Sequence, residues 1–120
     1  MEPPIAVRRV YEPASPEDGA RVLVDRLWPR GLSKAKAHVT LWLKDAAPST
    51  ALRQWFGHKP ERWHEFQQRY ARELAANPDA LQPLRDLLRK GPVTLLFGAR
   101  DEEHNNAVAL RAYLLRRRRK

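Results

Sequence analysis

The chain has 120 residues, 42% of them apolar, with four Trp, three Tyr and three Phe, enough to build one hydrophobic core. It has no cysteine, which excludes disulfides, thiolate nucleophiles and Cys-ligated zinc or iron–sulfur sites. Of its net charge of +9, five units sit in the terminal RRRRK (Arg116 to Lys120), leaving four for the body. Strong single-sign fields draw polyanions, and this one is concentrated in a tail.

The opening MEPPIAVRRVYEPASPEDG holds no apolar run of signal-peptide length. No stretch approaches the roughly 18–20 residues of a membrane span, so the sequence predicts a soluble, cytoplasmic protein without a membrane partner. Ile5 to Tyr11 alternates and is β-branched, predicting a first strand. Pro13, Pro16 and Gly19 then break the chain. Arg21 to Asp25, RVLVD, is a continuous apolar run of the kind buried on both faces of a sheet. It ends in DRLWPRG, an unusual concentration of acid, arginines and tryptophan.

Between Ser33 and Lys44 the pattern fits either a short helix followed by a strand-like segment around Val39, Leu41 and Leu43, or irregular packing. Ser49 is placed to cap a short helix carrying Leu52, Trp55 and Phe56, which Gly57 ends. Pro60 fits the first turn of a longer helix, where Trp63, Phe66, Tyr70 and Leu74 form an amphipathic stripe. Asn77-Pro78 breaks it, and Leu81, Leu84, Leu87 and Leu88 mark another helix stopped by Gly91-Pro92. Pro92 to Ala99, PVTLLFGA, is the second buried strand. A closing helix follows, with Asp101 as its predicted N-cap, Glu102 and Glu103 in its first turn, and Ala107, Leu110 and Leu114 on its apolar face. Strands at both ends with helices between them predict a single α/β domain over 1–115, a small, twisted, largely parallel sheet flanked by helices. Residues 116–120 are predicted to be a basic, disordered tail.

Ligands of open parallel sheets bind beyond the carboxyl ends of the strands. If the two buried strands are parallel neighbours, DRLWPRG and ARDEEHNN lie on one edge. That would gather Asp25, Arg26, Trp28 and Arg30 with Arg100, Asp101, His104 and Asn105. Arginine forks suit phosphate or carboxylate, His104 or Asp25 suits proton transfer, Trp28 can stack on a ring, and Asn105 can orient a polar group. A purely structural reading competes: Asp25 paired with Arg26, Arg30 or Arg100 would simply lock two loops, and Asp101 would only cap a helix. Glu102 and Glu103 oppose an anion at that helix start. His58 and His64 lack zinc spacing and read as surface residues, and His38 stands alone. No phosphate-binding glycine loop, nucleophile elbow or metal pattern occurs, so no cofactor and no metal is expected.

Together, VLVDRLWPRGLSK, WLKDAAPST, LRQWFGHKPERW, FQQRYARELA and GPVTLLFGARDEEHNNAVAL resemble the YeaO-like branch of a large bacterial family of domains of unknown function. The resemblance runs from about Ile5 to Leu114. It implies that Asp25-Arg26 through Pro29-Arg30 correspond to the family's D-x-R-x-x-P-type loop. It also implies that Phe97 and the residues around His104 and Asn105 stand where the wider family carries cysteines. Thiol chemistry is therefore unavailable here. Three functions stay open: a binding or catalytic site for an anionic or nucleotide-like small molecule, a nucleic-acid-binding module using the basic body and tail, and a non-catalytic structural or partner-binding protein.

Overall fold

The structure is a computed structural model describing residues 5–118, with side chains described through residue 116. Four strands, Ile5–Arg9 (β1), Ala20–Leu23 (β2), Leu41–Trp42 (β3) and Val93–Phe97 (β4), form one sheet in the order β1-β4-β2-β3. Every pairing is parallel, with Ile5 opposite Val93, Leu23 opposite Leu96 and Val22 opposite Leu41. The helices are Lys34–Ala37 (α1), Thr50–Phe56 (α2), Trp63–Ala76 (α3), Gln82–Lys90 (α4) and Asn106–Arg118 (α5). The chain is thus the predicted α/β domain. No helix among the described residues is long and apolar enough to cross a membrane.

The two continuous apolar runs became the two central strands, because β4 and β2 alone have a neighbour on each side. Their alternation supplies both faces. Val22, Val24, Val93, Leu95 and Phe97 join the larger core beneath α2 to α5, while Leu23 and Leu96 face a smaller cluster with Val10 and Ala37. Trp28 and Trp42 pack edge to face over that second cluster, their ring centroids 5.4 Å apart.

The end of the first strand and the start of the last helix differ from expectation, and the segment left open between them takes the helix-then-strand reading. The first strand ends at Arg9 rather than Tyr11, because Val10 N donates to the carbonyl of Phe97, the last residue of β4, and the chain turns with Glu12 N on Arg9 O. The ambiguous segment holds both a short helix, capped by Ser33, and a two-residue strand. The closing helix starts at Asn106 and not after Asp101. Asp101 Oδ1 accepts from the backbone of Glu103 and His104, a local turn that satisfies the donors a helix start would leave orphaned. The cap moves to Asn105, whose Oδ1 accepts from Val108 N at 2.9 Å. Of the basic tail, the backbone through Arg118 belongs to α5, and 119–120 lie outside the described residues.

Candidate functional site

Because β2 and β4 are parallel neighbours, their following loops meet at the carboxyl edge of the sheet. Val24 N still bonds to Leu96 O, which delivers Asp25 beside Gly98. The carboxylate Oδ2 accepts from Gly98 N at 2.8 Å, and Oδ1 accepts from Asn106 Nδ2 at 2.9 Å. Asn106 Nδ2 also donates to Val24 O at 2.7 Å, so one half-buried acid ties both central strands to the start of α5. Burial pushes the Asp25 carboxyl up from its ordinary range, opposed by the hydrogen bonds from Asn106 and Gly98 and by the charge of Arg53.

Asp25 and Asn106 belong to a cleft of about 220 Å³. Arg26, Leu27, Ala99, His104 and Asn105 come from the two loops, Ala47 and Pro48 precede α2, Arg53 and Phe56 lie on α2, His58 follows it, and Phe66 lies on α3. Phe56 and Phe66 are buried and packed at 4.5 Å between centroids, whereas Arg53 and His58 are exposed. His58 follows the helix-ending Gly57 in a left-handed conformation, φ 58°, with its ring 6.4 Å from that of Phe56. Arg26 reaches Ala47 O at 3.4 Å and Pro48 O at 3.5 Å, long contacts that hold it weakly. The Arg53 backbone belongs to α2, bonding to Ser49 and Gly57, while its guanidinium makes no hydrogen bond or ion pair among the described residues and acts on Asp25 through its charge alone.

His104 Nδ1 lies 2.9 Å from Asp101 Oδ2, and its ring meets Trp63 edge to face at 5.3 Å. Backbone donation from Glu103 and the bond to His104 hold the Asp101 carboxyl below its usual range. Asp101 thus stands behind His104, orienting it from outside the cleft. Asn105 is buried, and both ends of its amide are engaged, Nδ2 on Asp101 O and Oδ1 as the α5 cap.

The structure therefore brings Asp25, Arg26, His104 and Asn105 together. Trp28, Arg30 and Arg100 do not line the cleft. Trp28 lies against the smaller cluster with its Nε1 on Leu32 O at 2.6 Å, Arg30 is exposed with its carbonyl taken by Tyr11 Oη, and Arg100 is exposed. Arg53, Phe56, His58, Phe66 and Asn106 were not singled out as site residues in the sequence. They reach the cleft through packing of α2 and α3 against the two loops, which leaves no local signature. Among the described residues no three His, Asp or Glu side chains gather to hold a metal ion.

A family model described as the "Inactive DUF488-N3 subclade" matches residues 4–120. The chain belongs to that subclade. The uncharacterised protein YeaO of Escherichia coli K12 is 40% identical over 110 residues, covering 92% of this chain and 96% of YeaO. An uncharacterised protein of Mycobacterium tuberculosis H37Rv is 45% identical over 106 residues, covering 88% and 89% respectively. No solved structure matches. Membership of the DUF488-N3 subclade agrees with the resemblance carried by the sequence motifs.

Proposed function

We propose that this member of the DUF488-N3 subclade binds a small anionic, nucleotide-like molecule at the carboxyl edge of its sheet and holds it without turnover. The observation that carries the reading is that the Arg53 guanidinium, without a hydrogen bond among the described residues, and the loosely held Arg26 both line one concave, partly aromatic cleft. Guanidinium forks without protein partners recognise phosphate or carboxylate. A parallel sheet presents ligands at this edge.

Turnover is disfavoured by the lining itself. No Ser, Thr, Lys or Tyr lines the cleft, and the chain has no Cys. Asp25 is held in place by one N–H on each oxygen, and neither it nor His104, although oriented by Asp101, has a hydroxyl or thiol within the lining to activate. The word "inactive" in the description of the subclade points the same way. In this reading Asp25 and His104 position the ligand, and Arg26 and Arg53 bind its charge.

Thermal denaturation in the presence of sodium phosphate, nucleoside monophosphates and small carboxylates tests this. At least one should raise the melting temperature, and Arg53→Ala should abolish most of the rise. The reading fails if none shifts the transition, or if the variant responds as wild type does.

A further inference from the structure

We infer that the cleft selects a guanine ring, read through an edge of two adjacent N–H donors, with the attached phosphate on the arginines. This rests on the anion-binding reading above and names its ligand class. The decisive observation is the state of the Asn106 amide. Its Nδ2 has two hydrogens, and both are spent, one on Val24 O at 2.7 Å and one on Asp25 Oδ1 at 2.9 Å. A nitrogen between a carbonyl and a carboxylate cannot be exchanged with the amide oxygen, so the orientation of the side chain is fixed. What Asn106 keeps for the cleft is Oδ1, an acceptor without a partner among the described residues.

Asp25 adds only acceptors. Each of its oxygens receives one N–H, and the ionised carboxylate keeps further lone pairs on both. Asn105 offers nothing further, its amide being consumed at both ends. The polar groups that Asp25 and Asn106 turn to the cleft are therefore acceptors, while the guanidiniums of half-buried Arg26 and exposed Arg53 are donors in the same lining. A ligand matching this lining must donate to the acceptors and carry negative charge to the guanidiniums. Buried Phe56 and Phe66 supply an apolar wall suited to a flat ring. The volume, about 220 Å³, is below that of drug-sized sites and fits one ring system with its substituent at the mouth.

Among nucleobases, guanine alone offers a ring N–H beside an exocyclic amino group with no lone pair between them. Adenine and cytosine place a ring acceptor next to the amino group, which would face a carboxylate. Hypoxanthine keeps the ring N–H and lacks the amino group.

Binding of GMP, guanosine, IMP, AMP, inorganic phosphate and glycine to the full chain, measured by calorimetry, tests the inference. GMP should bind, with IMP and AMP weaker by roughly ten- to a hundredfold, the worth of one charge-assisted hydrogen bond. Arg53→Ala, an exposed position that spares the fold, should bring GMP down to the affinity of guanosine. Equal affinity for GMP, IMP and AMP, binding of phosphate as tight as GMP, or tighter binding of the ammonium-bearing glycine overturns the guanine inference and leaves the anion reading standing. Absence of binding by every compound overturns both.

Discussion

Asp25 is where fold and site share one side chain. Its two oxygens bridge Gly98 at the end of β4 and Asn106 at the start of α5, and Trp42 Nε1 donates to its carbonyl at 2.8 Å. Asp25→Asn replaces one acceptor oxygen by an NH2 group that must face either the Gly98 N–H or the Asn106 amide donor. We expect a loss of about 1–3 kcal/mol, the usual cost of an unsatisfied half-buried donor, read as a lower urea midpoint at unchanged m-value. Asp18 is a second residue with large leverage. It is 5% exposed and bonded to Arg21, also buried, at 2.6 Å and to Arg8 at 3.0 Å. Burial works to raise its carboxyl, but the Ser15 backbone and the two guanidiniums outweigh that and hold it below its ordinary 3.8. Its ionised form therefore stabilises the fold above about pH 3.8, and that contribution fades as pH falls through the depressed folded value. Asp25, shifted upward by burial, runs the opposite way and cannot account for such a loss. Asp18→Asn should cost about 3–5 kcal/mol at pH 7 by stranding Arg21, while showing a flatter decline between pH 5 and pH 3 than wild type in chemical denaturation. A parallel decline in the two proteins would rule Asp18 out as the acid-sensitive group.

At the scale of elements, β2 depends on the glycine that launches it. Gly19 has φ 64°, and a Cβ there would sit 2.2 Å from the Pro92 carbonyl oxygen, the same oxygen that accepts from Ala20 N. Gly19→Ala meets both an unfavourable backbone conformation and a backbone clash that no rotamer relieves. A loss of at least about 2 kcal/mol is expected, with Ala99→Gly as a fold control, and a melting temperature within a degree of wild type would show that the β2–β4 junction yields. This strand pair also shows what the sequence made legible. A run buried on both faces cannot alternate, so RVLV and VTLLF announced the two central strands, and their polar endings announced the edge where loops converge. Ser49 was legible as a cap because its hydroxyl accepts from Leu52 N three residues on. Asp101 carried the same signals and capped only a turn, since Asn105 four residues later offers an equivalent side chain at the true start. Trp28 illustrates another limit. A ring beside a candidate site reads as a stacking platform, yet the second face of the sheet needed cover, and Trp28 supplies it with Trp42. Arg53, Phe56 and His58 were illegible as site residues because only the packing of α2 over the loops gives them that role.

For the molecule as a whole, charge and cleft occupy opposite ends of α5. The helix begins at the cleft with Asn106 and has advanced about 15 Å along its axis by Arg116, where the basic tail starts. Five of the nine net charges follow from that point in the sequence, so a duplex drawn by charge is expected to be drawn by the tail more than by Asp25 and Arg53. Deleting Arg116 to Lys120 should leave binding of a phosphate-bearing ligand in the cleft within about twofold, because a charge that far through solvent is largely screened at physiological salt. The same deletion should weaken DNA binding and reduce the slope of log K against log salt by up to about 4, close to 0.9 for each phosphate contact removed. Fluorescence anisotropy with labelled duplex at several salt concentrations, beside calorimetry with GMP, separates the two. Loss of the cleft ligand on truncation would mean that the tail reaches the site, and an unchanged DNA salt slope would move the polyanion surface back onto the body.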